Sequence, residues 1–150
     1  MIPALPTRHA GVLFRSRLEA RWAVFFDHLG IRWEYEPQGF LLPSGEGYLP
    51  DFWLPERGWY VEVKPRGGDT SKAVALAGAG HHVLLCIGTP SSEPLELLGS
   101  TEYGDGAHDY VTLLPGGGTF WAWCGHPDGA RLDNANEDAV SAALSARFGT

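Results

Sequence analysis

The sequence has few of the features that mark disulfide scaffolds, membrane proteins and secreted chains. Its 150 residues include two cysteines, which are too few for a disulfide framework. No apolar run approaches the roughly 18 residues that a membrane-spanning helix needs, and residues 1–9 lack the apolar core of a signal peptide. We therefore expect a cytoplasmic protein that does not contact a membrane.

Positive charge is scarce as well. Lys and Arg number 11 against 18 Asp and Glu, so the formal net charge is -7. Because Lys and Arg supply most phosphate contacts, this balance counts against a nucleic-acid partner. The deficit lies entirely in residues 67–150, since residues 1–66 hold eight basic and eight acidic side chains. We therefore expect a basic face on the first part of the chain, formed by Arg8, Arg15, Arg17, Arg21 and Arg66. The alternative is a solvated surface that binds no partner.

Length and composition favour one globular domain over residues 1–150. A chain of this size buries about two-thirds of its unfolded surface, and 44% of its residues are hydrophobic. We expect a core at about 14–88, with a supporting hairpin and helix in 89–150.

The most informative stretch is 48–64, which reads as two short extended segments joined by a turn at 55–58. Asp51 begins the first segment, directly after a proline, a residue that suits the start or edge of a strand. Glu62 and Lys64 alternate with two valines in the second segment, so the polar pair and the valines lie on opposite faces. This pattern predicts two carboxylates and one ammonium at one edge of a sheet.

These three side chains suit the hydrolysis of a phosphodiester. Mg²⁺ is usually held by one or two carboxylates together with water and substrate phosphate, and Asp51, Glu62 and the carbonyl of Val63 can supply the protein ligands. The ion lowers the pKa of its bound water, and Lys64 would orient the nucleophile beside it. We expect Mn²⁺ to substitute for Mg²⁺. The alternative is an exposed Glu62 and Lys64 pair worth under about 1 kcal/mol.

The Pro-Asp pair ending at Asp51, followed after ten residues by Glu62 and then Lys64, resembles the PD-(D/E)xK nuclease superfamily. The likeness covers about 14–88 and includes phage-type and transposon-end nucleases. It implies an α/β fold with a three-layer, restriction-endonuclease-like core, in which helices flank a central mixed β-sheet and the site lies at the sheet edge. It also implies a Mg²⁺-dependent endonuclease that hydrolyses DNA, with Asp51 and Glu62 as metal ligands and Lys64 assisting the water.

Apolar residues at three- and four-residue spacing predict an amphipathic helix at 16–29, ended by Gly30. Ser16 and Glu19 have the spacing of a capping box, in which the glutamate reaches back to the first backbone donors. In the superfamily that the chain resembles, a glutamate on this helix often serves as an additional metal or water ligand. Glu19 therefore has two candidate roles, in the cap and in the site.

The resemblance also implies contacts with the phosphate backbone of DNA. These contacts would come from the first helix, from the loop after the site and from the next helix. For each side chain the alternative is an ordinary solvated residue. The candidates are Arg15, Arg17, Arg21, Arg66 and Lys72.

The other predicted elements follow from periodicity and turn residues. The run at 82–87 is continuously apolar, which is typical of a strand buried on both faces, and the helix before it makes it parallel to the strand of Glu62. The predicted elements are an unstructured arm at 1–11, a strand at 32–40, a turn at 43–47, a helix at 71–79 capped by Asp69 or Thr70, a loop at 89–106 with a helical turn near 95–98, a hairpin of 110–114 and 119–123, and a helix at 137–148 capped by Asn134 or Asn136.

Three functional hypotheses stay open. A DNA endonuclease, with a homodimer as one option for its assembly, is the first. A catalytically inactive module that descends from a nuclease and binds nucleic acid or protein is the second, and an RNA-cleaving enzyme with the same site is the third. Zinc is not expected, because Cys124 and His126 provide only one pair of the four ligands that a structural zinc site needs.

Overall fold

A computed structural model describes residues 6–99, 108–122 and 135–148. These ranges contain 11 β-strands and three α-helices. None of the helices in this part of the chain has the length and apolarity to cross a membrane. The helices are α1 (Arg17–Leu29), α2 (Ser71–Gly78) and α3 (Glu137–Ser145). The strands are β1 (Thr7–His9), β2 (Val12–Phe14), β3 (Glu34–Tyr35), β4 (Phe40–Leu41), β5 (Gly47–Tyr48), β6 (Phe52–Leu54), β7 (Trp59–Lys64), β8 (Val83–Ile87), β9 (Leu95–Leu98), β10 (His108–Leu113) and β11 (Thr119–Ala122).

Seven of these strands form one mixed sheet in the order β11-β10-β9-β8-β7-β6-β3. β7 and β8 are parallel and are connected through α2, as predicted, whereas the other neighbouring strands of this sheet are antiparallel. Two further hairpins, β1 with β2 and β4 with β5, lie outside the sheet. The mixed sheet with its helices confirms the predicted α/β class.

Helices cover both faces of the sheet. α1 and α3 pack on the face that carries Val61 and Val63, and α2 packs on the face that carries Tyr60 and Leu85. The alternation predicted for β7 is therefore confirmed, since its odd and even positions enter different apolar clusters. The polar face of β7 is not exposed, however, because α2 and the β4–β5 hairpin cover it.

Helix α1 has the ends that its sequence predicts. The Ser16 hydroxyl accepts a hydrogen bond from the backbone N–H of Glu19 at 3.1 Å, which satisfies one of the first free donors. Gly30 has a φ of 75°, a left-handed conformation that a residue without Cβ adopts at low cost. The N–H of Ile31 then returns to the carbonyl of Phe26 at 2.9 Å and closes the last turn.

Several predicted elements are wrong in detail. The part of the predicted arm that the structure describes is not an arm, because Ala10 and Gly11 both have positive φ and form the tight turn of the β1–β2 hairpin. Residues 1–5 lie outside the described ranges. The single strand predicted at 32–40 is divided between β3 and β4. The segment predicted as a helical turn is β9, which pairs with β8 and β10. α3 ends earlier than predicted, and Asn136 makes no side-chain cap but donates to the carbonyl of Leu113 at 3.1 Å.

The predicted second hairpin and the second helix are confirmed. β10 and β11 pair around a short 3-10 turn at Pro115–Gly117. At the start of α2, the carboxylate of Asp69 accepts a hydrogen bond from the N–H of Ser71 at 2.9 Å. Thr70 makes no side-chain cap. β9 to β11 therefore widen the sheet beyond the core predicted at 14–88, and α3 packs against α1.

Candidate active site

Asp51 is fixed at the carboxyl end of β7 by two contacts with that strand. Its N–H donates to the carbonyl of Val61 at 3.0 Å, and its Oδ2 accepts from the N–H of Val63 at 2.7 Å. The turn that aligns the strands is closed by Gly58, whose N–H donates to the carbonyl of Leu54. The strand that carries Glu62 and Lys64 is an inner strand of the sheet, because β7 lies between β6 and β8.

Glu62 is almost fully buried, with 3% of its surface exposed, and it projects on the α2 face. Its Oε1 lies 4.0 Å from Nζ of Lys64, while its Oε2 is buried without a hydrogen-bond partner in the part of the chain that the structure describes. Burial raises the pKa of Glu62, and the positive charge of Lys64 partly opposes that rise. The Glu62 and Lys64 pair is therefore not the exposed surface pair of the alternative interpretation.

Asp51 experiences the negative charge of both other carboxylates. Burial raises its pKa to about 7, from an ordinary value of 3.8, and the charge of Glu19 adds to the rise. The hydrogen bond from Val63 N–H works in the opposite direction, and the charge of Glu62 raises the pKa further. The charges of Glu19 and Glu62 thus both disfavour ionisation of Asp51.

Glu19 makes only half of the predicted capping box. Its backbone N–H is capped by Ser16, but its carboxylate accepts a hydrogen bond from the hydroxyl of Tyr35 through Oε1. The side chain is 9% exposed, and burial raises its pKa, with the bond from Tyr35 opposing the rise. The carboxylate is thus held by Tyr35 and also interacts with the backbone N–H of Arg15, just before the N-cap. Its charge adds to the rise in the pKa of Asp51.

Two tyrosines that sequence reasoning did not single out contribute hydroxyl groups here. Tyr35 binds Glu19, and Tyr48 is buried with no hydrogen-bond partner for its hydroxyl among the described residues. Burial raises the pKa of Tyr48 most, and the charge of Glu62 together with a side-chain interaction between the two groups raises it further. The same interaction with Tyr48 opposes the rise in the pKa of Glu62. Two features of the sequence could have indicated these tyrosines. Tyr48 lies three residues before Asp51, and Tyr35 alternates with two glutamates.

The residues fit a hard cation with few protein ligands. Within the ranges given above, no group of three or more His, Cys, Asp or Glu side chains is arranged to hold a metal ion, and Cys124 and His126 lie outside those ranges. Mg²⁺ needs only one or two carboxylates, because water and substrate complete its shell. Asp51 and Glu62 provide hard oxygen donors, and Oε2 of Glu62 makes no hydrogen bond within the described ranges. Glu19 does not complete a three-carboxylate cluster, so its role as a ligand stays a prediction.

Two of the arginines predicted to contact phosphate have partners within the protein. Arg15 forms an exposed ion pair with Glu36 at 2.9 Å. Arg21 donates from Nη1 to the carbonyls of Ala143 and Leu144 at 2.8 and 3.0 Å, and its guanidinium lies 5.6 Å from the ring of Phe148. The structure thus gives Arg21 a structural role at the end of α3, and its contact with phosphate stays a prediction.

The other predicted phosphate contacts lie on more open surface. Arg17 and Arg66 are exposed at the start of α1 and in the loop after β7. Lys72 donates from Nζ to the carbonyl of Gly47 at 3.2 Å and so connects α2 to the β4–β5 hairpin. Arg66 also lines a cavity of about 310 Å³ at the end of β8. Contact of Arg17, Arg66 and Lys72 with phosphate stays a prediction.

The arrangement can bind a cation and position a water molecule beside an ammonium. No known protein family matches the chain, and no curated protein is significantly similar to it. The site is therefore interpreted from its own geometry. Two carboxylates with raised pKa, one unpartnered oxygen and one half-exposed lysine meet at the carboxyl ends of parallel strands, where open α/β sheets commonly bind ligands.

Proposed function

We propose that the protein is a Mg²⁺-dependent endonuclease that hydrolyses DNA on a restriction-endonuclease-like core. The observation that carries the proposal is the state of Glu62, a buried carboxylate beside Asp51 and Lys64 whose Oε2 has no hydrogen bond among the described residues. A buried carboxylate whose only ion pair is a 4.0 Å contact with a half-exposed lysine is costly to the fold. Its presence among like charges at a strand end supports a role in binding a cation.

In this proposal Asp51 and Glu62 hold the ion and Lys64 acts on the water. The bound ion supplies Lewis acidity, which lowers the pKa of water and offsets charge on the scissile phosphate. Asp51 is oriented by the N–H of Val63, which leaves its other oxygen, Oδ1, directed away from that bond. Lys64 is half-buried, so its ammonium can donate to water or to a phosphate oxygen while its stem stays packed.

DNA is the proposed substrate because the site chemistry matches a phosphodiester and because exposed arginines lie at the start of α1 and in the loop after β7. Arg17 and Arg66 are exposed on the part of the chain whose charges balance. A cation at Asp51 and Glu62 would neutralise part of the remaining acidity. The cytoplasmic location and a homodimer remain predictions from the sequence.

The test is nicking of supercoiled plasmid by the purified protein with Mg²⁺ or Mn²⁺. We expect nicked and linear products with either ion and none with EDTA. Glu62→Gln is the matched variant, because it keeps the shape of the side chain and removes its charge. Cleavage that persists in EDTA, or that Glu62→Gln leaves unchanged, would overturn the proposed site.

The same assay separates the alternatives. Binding of duplex DNA with no cleavage under any divalent ion would indicate an inactive binding module. Cleavage of single-stranded RNA with intact plasmid would indicate a ribonuclease that uses the same residues. Either result would contradict the proposed DNA endonuclease activity and support the corresponding alternative.

A further inference from the structure

A cavity of about 310 Å³ lies beside the proposed site, at the carboxyl end of β8. Leu85, Glu96 and Tyr110 line it, and they occupy one row of paired positions across β8, β9 and β10. The row continues to Glu62, which is the partner of Leu85 on β7. Paired residues project from the same face of a sheet, and neighbouring strands lie about 4.8 Å apart. The cavity therefore begins one strand away from Glu62, on the same face.

Hydrogen bonds join the wall of this cavity to the backbone of Lys64. Ile87, which lines the cavity, is the partner of Lys64 in the β7–β8 ladder. The next residue, Gly88, donates its N–H to the carbonyl of Lys64 at 2.8 Å, and its own carbonyl accepts from Nε1 of Trp22 at 2.9 Å. Trp22 also lines the cavity and is 1% exposed, so this wall is anchored in the core. The cavity is therefore held in place beside Lys64.

The walls offer apolar surface of the kind that planar ligands need. Leu85, Ile87 and Leu95 provide aliphatic groups, and Tyr110 provides a half-buried aromatic ring. Ligand cavities are lined mainly by apolar and aromatic side chains, with a few polar groups that fix the orientation of the ligand. This cavity is at the lower end of their usual range of about 300–1,000 Å³. Its size therefore suits one small ring system.

Charged groups decide which part of a nucleotide fits here. Glu93 and Glu96 line the cavity, and their carboxylates repel a phosphate. A neutral base is not repelled, and its N–H groups can donate to carboxylate oxygens, each of which accepts more than one hydrogen bond. Arg66 lies on the side of β7, since a Cβ added at Gly88 would lie 3.4 Å from its Cγ. The basic group thus follows the strand of Lys64, and the acidic groups lie farther out.

We propose that this cavity binds an unpaired nucleobase of the substrate, namely the base of a nucleotide next to the phosphate that is cleaved. The inference rests on the proposed function and adds a substrate feature that the phosphate chemistry does not contain. A base enters such a cavity only after it leaves the stack of the double helix, and this step costs least for a mismatched or single-stranded base. The protein should therefore prefer DNA in which this base is unpaired.

The first test compares two ligands that share a phosphate and differ in the base. Deoxyadenosine monophosphate and deoxyribose phosphate are titrated with Mg²⁺ into isotope-labelled protein and followed by NMR. The nucleotide should bind about 5- to 150-fold more tightly, the range that stacking of one base on an aromatic ring provides, and it should shift the amide signals of Ile87 and Glu96. Tyr110→Leu should remove most of this difference. Phe120→Leu is the matched control and should keep it, because Phe120 is exposed on β11 and does not line the cavity.

The second test compares a duplex that contains an unpaired bubble with a fully paired duplex of the same length. With Mg²⁺ the bubble duplex should be cleaved at least about tenfold faster, because its bases are already unstacked. Equal affinity for the two ligands in the wild-type protein, or equal cleavage of the two duplexes, would overturn the inference while plasmid nicking still supports the proposed function. Preference for the nucleotide without any nicking would overturn the endonuclease and leave a base-binding site in an inactive module.

Discussion

Polar groups that are partly or fully shielded from solvent have different roles in two regions of this molecule. In the region formed by β10, β11 and α3, they connect elements: Arg57 donates to the carbonyl of Gly117 and, at 3.3 Å, to the hydroxyl of Thr119. Arg21 joins the end of α3 to α1 through two carbonyls. These contacts pair donors with acceptors and so stabilise the fold. Asn136 before α3 is the exception, because its amide donates to the carbonyl of Leu113 while its Oδ1 has no partner among the described residues.

At the carboxyl end of β7 the polar groups are arranged differently. Asp51 has a raised pKa next to two other carboxylates, and both Oε2 of Glu62 and the hydroxyl of Tyr48 lack partners among the described residues. Like charges and unpaired buried atoms cost free energy. The difference shows which polar groups serve the structure and which are explained better by a ligand.

The largest expected effect is on cleavage by Asp51→Asn and Glu62→Gln. Each should reduce the rate of plasmid nicking by at least about a thousandfold, roughly 4 kcal/mol of transition-state stabilisation. The fold should persist, because either change removes repulsion among carboxylates. Circular dichroism and melting curves of the same preparations provide the control for folding. Full activity in either variant would show that the carboxylates at the end of β7 do not serve catalysis.

Glu19→Gln should lower cleavage by about a hundredfold, since the amide keeps the reach of the side chain without its charge. Its stability should change by only tenths of a kcal/mol, because the Ser16 cap on the N–H of residue 19 remains. Rates and melting temperatures measured on one sample separate the two roles. A fully active variant with the native melting temperature would show that Glu19 has no role in cleavage and acts only at the start of the helix.

The metal-free protein should lose stability as the pH rises. The pKa of Asp51 is about 7 in the folded state against an ordinary 3.8, so between these values the folded state binds more protons than the unfolded state. The free energy of unfolding then falls with increasing pH, by about 2 kcal/mol or more from pH 4 to pH 8. Urea unfolding in EDTA measures this slope. Asp51→Asn should flatten it, and an unchanged slope in that variant would count against the raised pKa.

Two arginines of the first helix provide a matched pair. Arg21→Ala should destabilise the protein by about 1–3 kcal/mol, because the carbonyls at the end of α3 lose their donor. Arg17→Ala should leave the melting temperature unchanged and make the salt dependence of DNA binding shallower by about one unit in a log-log plot with Ca²⁺. The reverse assignment of these two effects would show that Arg21 is the phosphate contact.

Local sequence signals predicted much of the fold. Helix α1 with Ser16 and Gly30, the β6–β7 hairpin and the parallel β8 follow from periodicity, capping residues and turn chemistry. β9 was missed because its short apolar segment pairs with strands distant in sequence and has no local signature of its own. The β1–β2 hairpin was missed because Ala10 is an unusual residue for a positive φ.

The candidate site was predictable only where residues are close in sequence. Asp51, Glu62 and Lys64 were found because one hairpin carries them. The burial of Glu62 depends on α2 and the β4–β5 hairpin, which no pattern around Glu62 indicates. The role of Tyr35 depends on packing between β3 and α1, and that packing is fixed only in the folded chain.

The most direct measurement is a crystal structure of the protein soaked in Mn²⁺, with anomalous diffraction to locate the ion. The account predicts one strong anomalous peak within about 2.5 Å of carboxylate oxygens of Asp51 and Glu62, absent from Glu62→Gln crystals treated in the same way. A peak elsewhere in an active protein, or no peak at a Mn²⁺ concentration that supports full cleavage, would contradict the account.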